Sequence, residues 1–152
     1  MADTKAQIEA EKWMREVFLP QRYGRLFHEK NLDLRSKGQF RFDAVSDDGE
    51  IAVLISTSVG FTSTGKPATS KLMKIRSDAF WFLMLERQPE RKIMIFTDQS
   101  MMNLVNEEKK KGRFPPDFEI LKVELPDDVA ARVFQSQKAA SLEMSPTRKA
   151  TE

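Results

Sequence analysis

Two runs of alternating apolar and polar residues meet at residues 42–58, which read FDAVSDDGEIAVLISTS. The Asp-Gly dipeptide at 48–49 lies between the runs and tolerates the positive φ angles that a two-residue hairpin turn requires. With this turn, Val45 pairs with Ala52, and the residues on either side follow in antiparallel register. The pattern therefore predicts two adjacent antiparallel strands joined by a tight turn.

Strand alternation divides the side chains of this hairpin between two faces. The face expected to pack on the core carries Phe40, Phe42, Ala44, Ile51, Val53 and Ile55. The face expected to be exposed carries Arg41, Asp43, Val45, Leu54 and Ser56. Aspartate is depleted in strand interiors, so Asp43 needs an explanation. Either it forms an ion pair with Arg41 two residues away, or it serves as a metal ligand or a nucleic-acid contact.

The remaining pattern predicts one α/β (α+β) domain, a mixed central sheet flanked by helices in the order αβββαβαβα. Apolar residues at helical spacing predict a first helix that ends at Leu19, before Pro20. A three-strand antiparallel meander follows and contains the hairpin. The later elements are predicted as a helix at 69–86, a strand at 91–97, a helix capped by Asp98, a strand at 119–125 and a helix from 127 to about 140. We expect residues 1–140 to form the domain and 141–152 a disordered tail.

Composition restricts the class of protein. A chain of 152 residues, 32% charged and 40% hydrophobic, is long enough for one core and typical of a soluble globular domain. The lack of cysteine excludes disulfides and thiolate metal sites. The sequence shows no apolar signal core and no apolar run of membrane-spanning length, so we expect a cytoplasmic protein without a membrane partner. A net charge of +2 does not by itself indicate nucleic acid, so a basic binding surface would be local.

The order helix, three-strand meander, helix, strand over residues 3–97 resembles the restriction-endonuclease-like, PD-(D/E)xK nuclease superfamily. In that family an acid late in the second strand and an acid-x-lysine triplet in the third gather magnesium ions, which activate water against a phosphodiester. Asp43 stands where the family has its first acid, whereas Leu54 and Ser56 stand in place of the second acid and the lysine. The resemblance implies a restriction-endonuclease-like fold, a magnesium cofactor and a DNA or RNA substrate.

Charged residues elsewhere in the chain are available to replace the missing acid and lysine. Glu9 or Glu11 of the first helix would supply a second carboxylate, as first-helix acids do in parts of the family. Lys71 and Lys74, one turn apart on the second long helix, would reach over the same sheet face. The ordinary alternative for each of these residues is a solvated position on a helix surface.

A local basic cluster adjoins the predicted site. Lys66 lies in the polar loop GFTSTGK at 60–66, and Arg41 is predicted to lie opposite Ser56. The loop lacks the glycine spacing of a P-loop, but it follows a strand and would contact phosphate. The candidate residues are Asp43, Ser56, Lys71, Lys74 and Glu11 for catalysis, Asp43 and Glu9 for the metal, and Arg41, Lys66, Lys71 and Lys74 for nucleic acid.

Two classes of function remain open from the sequence. The first is a magnesium-dependent nuclease with a rearranged site, which would need to act as a homodimer to cut both strands of a duplex. The second is a catalytically inactive nuclease-fold module that binds nucleic acid or serves as a protein-interaction or structural subunit. A positive groove around Asp43 would favour nucleic acid, whereas an exposed apolar patch over Val45, Ala52 and Leu54 would favour a protein partner.

Overall fold

The computed structural model describes residues 4–143, and a five-stranded mixed sheet lies at its centre. The strands, in their order across the sheet, are β1 (Phe27–Asp33), β2 (Gln39–Ser46), β3 (Ile51–Ser56), β4 (Arg91–Phe96) and β5 (Glu119–Lys122). β1, β2 and β3 form the antiparallel meander, and β3, β4 and β5 run parallel. The predicted mixed α/β class and its element order are confirmed.

Helices cover both faces of the sheet. They are α1 (Lys5–Trp13), a π-helical turn (Met14–Phe18), α2 (Leu19–Tyr23), α3 (Thr69–Leu83), α4 (Gln99–Lys110) and α5 (Asp127–Glu143). The π-helical turn and α2 pack on one face, and α1 packs against α5. α3 and α4 pack on the other face. Residues 141–143, predicted to belong to the tail, extend α5, and residues 144–152 lie outside the described part.

The first helix continues past Pro20, so the prediction that it ends at Leu19 is wrong. The amide of Leu19 donates to the carbonyl of Met14, five residues earlier, because the preceding turn is π-helical. The regular α-helical hydrogen bonds to the fourth preceding residue are therefore already interrupted before Pro20. Proline, which has no N–H to donate, adds no further interruption there. The helix ends instead at Gly24, whose left-handed φ of 65° suits glycine.

A β-bulge at Asp43 makes the predicted division of side chains between two faces wrong. The register with β1 places two residues of β2, Asp43 and Ala44, opposite the single residue Glu29. An extra residue in one strand reverses its alternation beyond that point. As a result, Phe42 and Val45 pack in the same core, while Ala44 packs in the core on the opposite face.

The hairpin face that was expected to be exposed is covered by α3 and α4. Val45, Ala52 and Leu54 are buried in the core on that side, with Leu54 only 5% exposed. The predicted pairing of Val45 with Ala52 is confirmed. These three side chains therefore belong to the interior and do not form an apolar docking patch.

Gly60 allows the chain after β3 to lie against the first turn of α4. A Cβ atom at this position would lie 2.5 Å from the backbone carbonyl atoms of Ser100. The amide of Gly60 also donates to Ser100 Oγ at 2.8 Å. The close approach requires glycine because the contacted atoms are backbone, which cannot turn aside as a side chain can.

We expect Gly60→Ala to lower the free energy of unfolding by about 2 kcal/mol, since it overpacks this contact. Urea denaturation followed by circular dichroism measures the change. Gly38→Ala is the control, because its Cβ would meet only the Leu34 side chain, at 4.0 Å, and its stability should stay near that of the wild type. Equal stability of the two variants would contradict the contact between this loop and α4.

Candidate functional site

The candidate site lies where β2 and β3 separate. Their last backbone pair in this direction joins Ala44 to Val53. Beyond this pair, the Asp43 side chain replaces a backbone carbonyl as hydrogen-bond acceptor. Its Oδ2 accepts a hydrogen bond from the backbone N–H of Ile55 at 2.8 Å. The Asp43 side chain is only 13% exposed. The bulge and this hydrogen bond together hold the carboxylate in the opening between the two strands.

Glu11 of α1 meets Asp43 in this opening. The two carboxyl groups share a hydrogen bond, and the pKa of Glu11 is raised to about 7. Burial, which disfavours the charged form, is the main cause, and the negative charge of Asp43 adds to it. At neutral pH the pair therefore holds one proton for much of the time, because two adjacent negative charges repel each other.

Two arginines border the acidic pair. Arg41 Nη2 lies 3.9 Å from Asp43 Oδ1, and Arg41 also forms an exposed ion pair with Glu29 of β1. Arg15, from the π-helical turn, donates to the backbone carbonyl of Asp43 at 3.1 Å. Their charges lower the pKa of Glu11, against the larger effects of burial and Asp43. Arg41 thus combines the predicted ion pair with Asp43 and a position beside the candidate site.

A third carboxylate approaches the site from α3. Asp78 is 8% exposed, and its Oδ2 lies 3.3 Å from Nζ of Lys74, one helical turn earlier. Burial raises the pKa of Asp78, Lys74 opposes that shift, and the charge of Asp43 raises the pKa further. The carboxylates of Asp43 and Asp78 are therefore within electrostatic reach of each other. Sequence reasoning missed Asp78, although an acid four residues after a lysine, at the start of an apolar run, is a usable signal.

The structure assigns the other predicted acid, Glu9, to a different helix face. Its Oε1 accepts a hydrogen bond from Arg132 Nε of α5 at 2.7 Å. Glu11, two residues later, lies on the side of α1 that faces Asp43. Of the two first-helix acids considered as a second carboxylate, only Glu11 is brought to Asp43.

The remaining predicted residues lie at the end of β3, in the loop that follows it and on α3. Ser56 ends β3, and its Oγ accepts a hydrogen bond from the amide of Ser58 at 3.3 Å. Lys66 is exposed in a tight loop closed by Thr62, whose Oγ1 accepts the Lys66 amide at 3.2 Å. Lys71 is exposed on the first turn of α3. All three residues lie on the part of the chain that runs from the carboxyl-terminal end of β3 into α3.

The acidic pair suits an open magnesium site better than a closed metal cage. Within residues 4–143, no three or more Asp, Glu, His or Cys side chains are arranged to hold one metal ion. Magnesium, however, is commonly bound by one or two carboxylates, with water and substrate phosphate as its other ligands. Two carboxylates that otherwise share a proton are a suitable donor set for such an ion.

Comparison of the chain with protein-family models, curated proteins and solved structures found no match. The fold defines the chain as a mixed α/β domain with a partly buried carboxylate pair at a break in its sheet. Among the helices of the described chain, none is both long enough and apolar enough to cross a bilayer.

The raised pKa of Glu11 links stability to pH. Between the ordinary value of 4.5 and about 7, the folded protein keeps a proton that the unfolded chain has released. Rising pH therefore lowers the free energy of unfolding across this window, by about 1 to 2 kcal/mol, because solvent screens part of the effect at the partly buried Glu11. Because glutamine cannot titrate, we expect Glu11→Gln to lose less stability than the wild type between about pH 5 and pH 8.

Urea denaturation in the presence of EDTA measures this difference without interference from metal ions. Glu9→Gln is the matched control, because it removes an acid from the same helix but not from the pair. It should keep the pH dependence of the wild type. If Glu11→Gln also kept this pH dependence, the sharing of a proton by Glu11 and Asp43 would be contradicted.

Proposed function

We propose that this domain is a magnesium-dependent nuclease of the restriction-endonuclease-like type, with an acidic pair rebuilt from α1 and β2. The hydrogen-bonded pair of Glu11 and Asp43 at the break between β2 and β3 carries this proposal. Asp43 holds the position that the resemblance gives to the family's first acid. Glu11 supplies the second carboxylate that Leu54 cannot supply.

Glu11 and Asp43 would hold the magnesium ion. When bound, the ion would polarise a phosphate oxygen and lower the pKa of an attacking water. Glu11 would release its proton as the site fills, because a cation satisfies both carboxylates in place of that proton. The Ile55 amide holds Asp43 Oδ2, so Oδ1, which lies 3.9 Å from Arg41 Nη2, would be the oxygen that meets the ion.

Two cations of the chain would bind the phosphate of the substrate. Arg41 is permanently charged, so it would orient the phosphate and stabilise negative charge but would not act as a base. Lys74 would supply the positive charge that the family's lysine provides and that Ser56 lacks. Lys66 and Lys71, both exposed, would contact the backbone farther along the strand.

The alternative of a catalytically inactive interaction module has less support. Its protein-binding form was expected to expose Val45, Ala52 and Leu54, and all three are buried. A partly buried pair of acids is also costly to retain in a domain that only binds. The charged opening between the strands therefore favours chemistry on a phosphate over a flat protein interface.

Asp43→Ala tests this function. We expect calorimetric titration with Mg²⁺ and Mn²⁺ to show metal binding by the wild type and a loss of at least about tenfold in affinity in the variant. Cleavage of supercoiled plasmid DNA or of a labelled RNA transcript should fall at least as far. Both losses would follow from removal of a carboxylate that the neighbouring groups cannot replace.

Asp47→Ala provides the matched control. Asp47 is an exposed acid in the same hairpin, and its Oδ1 lies 3.0 Å from His28 Nδ1, away from the acidic pair. The control should bind metal and cleave like the wild type. A wild type that neither binds these metals nor cleaves DNA or RNA would contradict the proposal, and so would Asp43→Ala with unchanged affinity and cleavage.

A further inference from the structure

Asp78 is a buried carboxylate whose position hydrophobic packing does not explain. It lies on α3 beside the core residues Ile75, Ala79 and Phe82, on a helix that otherwise buries apolar side chains. A buried acid is unfavourable unless a charged or hydrogen-bonding partner compensates it. Its partner, Lys74, has a side chain that is 71% exposed. In this ion pair the carboxylate of Asp78 is buried and the ammonium group of Lys74 lies at the surface.

The position of Asp78 relative to the acidic pair points to a role in the site. Glu11 of α1 shares a hydrogen bond with Asp43, and the negative charge of Asp43 also acts on Asp78 of α3, which packs on the opposite face of the sheet. The charge of Asp43 therefore acts on two further acids, one from each helical layer. Like charges repel, so a second nearby acid calls for a cation, and Lys74 is the one that binds Asp78.

We propose that Asp78 is a positioning residue that holds the Lys74 ammonium beside Asp43, so that Lys74 and Asp78 act as one unit. The pair would take the place of the lysine that Ser56 replaces, and this inference rests on the nuclease function proposed above. An ammonium group has three N–H donors, so one bond to Asp78 leaves two for a phosphate oxygen. Asp78 would restrict a long, mobile side chain to that orientation.

A double-mutant cycle tests the unit with Lys74→Gln, Asp78→Asn and the double variant. Each single change should lower kcat about 10- to 100-fold, and the double variant should lose no more than the poorer single one. Affinity for a fluorescein-labelled DNA duplex, measured with Ca²⁺ in place of Mg²⁺, should fall equally in the two single variants. Mn²⁺ affinity should stay near that of the wild type, because the ligands Glu11 and Asp43 are retained.

Three further variants separate positioning from simple stabilisation. Lys110→Gln removes an exposed lysine from the last turn of α4, where its Nζ lies 3.4 Å from Glu107 Oε1, and should behave like the wild type. Glu108→Gln removes another buried acid, paired with Arg76 of α3, so it should lower stability without changing kcat or duplex affinity. Lys74→Arg keeps the charge and should recover part of the duplex affinity lost in Lys74→Gln. Because Lys74 is largely exposed, its variants remain informative even if Asp78→Asn does not fold.

Wild-type kcat and duplex affinity in a folded Asp78→Asn, or in Lys74→Gln, would overturn the inference. Losses that multiply in the double variant would also overturn it, because independent residues behave in that way. Failure of the proposed function gives a different result, in which Asp43→Ala leaves metal binding and cleavage unchanged. A wild type that cleaves neither DNA nor RNA would remove both proposals.

Discussion

The hydrogen bond from the Ile55 amide to the Asp43 carboxylate is the constraint on which the candidate site depends. The bulge at Asp43 ends the regular pairing of β2 with β3, which would leave a partly buried N–H without an acceptor. The carboxylate supplies that acceptor and so closes the break in the sheet. The same side chain is thereby fixed where Glu11 can meet it. The same residue therefore completes the hydrogen bonding of the sheet and holds a carboxylate of the candidate site.

Charge balance explains how several acids can influence one another in this part of the domain. The carboxylates are Glu11, Asp43 and Asp78, and the nearby cations are Arg15, Arg41 and Lys74. The cations do not fully offset burial, since the pKa of Glu11 still rises to about 7. A divalent cation would replace the proton that Glu11 and Asp43 share, and this exchange is the physical basis of the proposed metal site.

Local rules predicted the strands well and their faces poorly. The Asp-Gly turn set the register between Val45 and Ala52, because turn chemistry acts over a few residues. Alternation then assigned side chains as if the pairing were uninterrupted, and the bulge at Asp43 reversed the assignment on one side. The prediction that the first helix ends before Pro20 failed for a similar reason. The π-helical turn before Pro20 had already changed the hydrogen-bond pattern.

The sequence by itself determined the order of the elements, the hairpin and an acid in the middle of β2, since these follow from residue periodicity and turn residues. Only the tertiary structure decided which acids and cations meet Asp43. Glu9 and Glu11 are equivalent as sequence candidates, but the packing of α1 on α5 directs Glu9 to Arg132 and Glu11 to the break in the sheet. The physical reason is that the rotation of a helix about its axis is set by contacts with distant segments, which helical spacing alone does not specify.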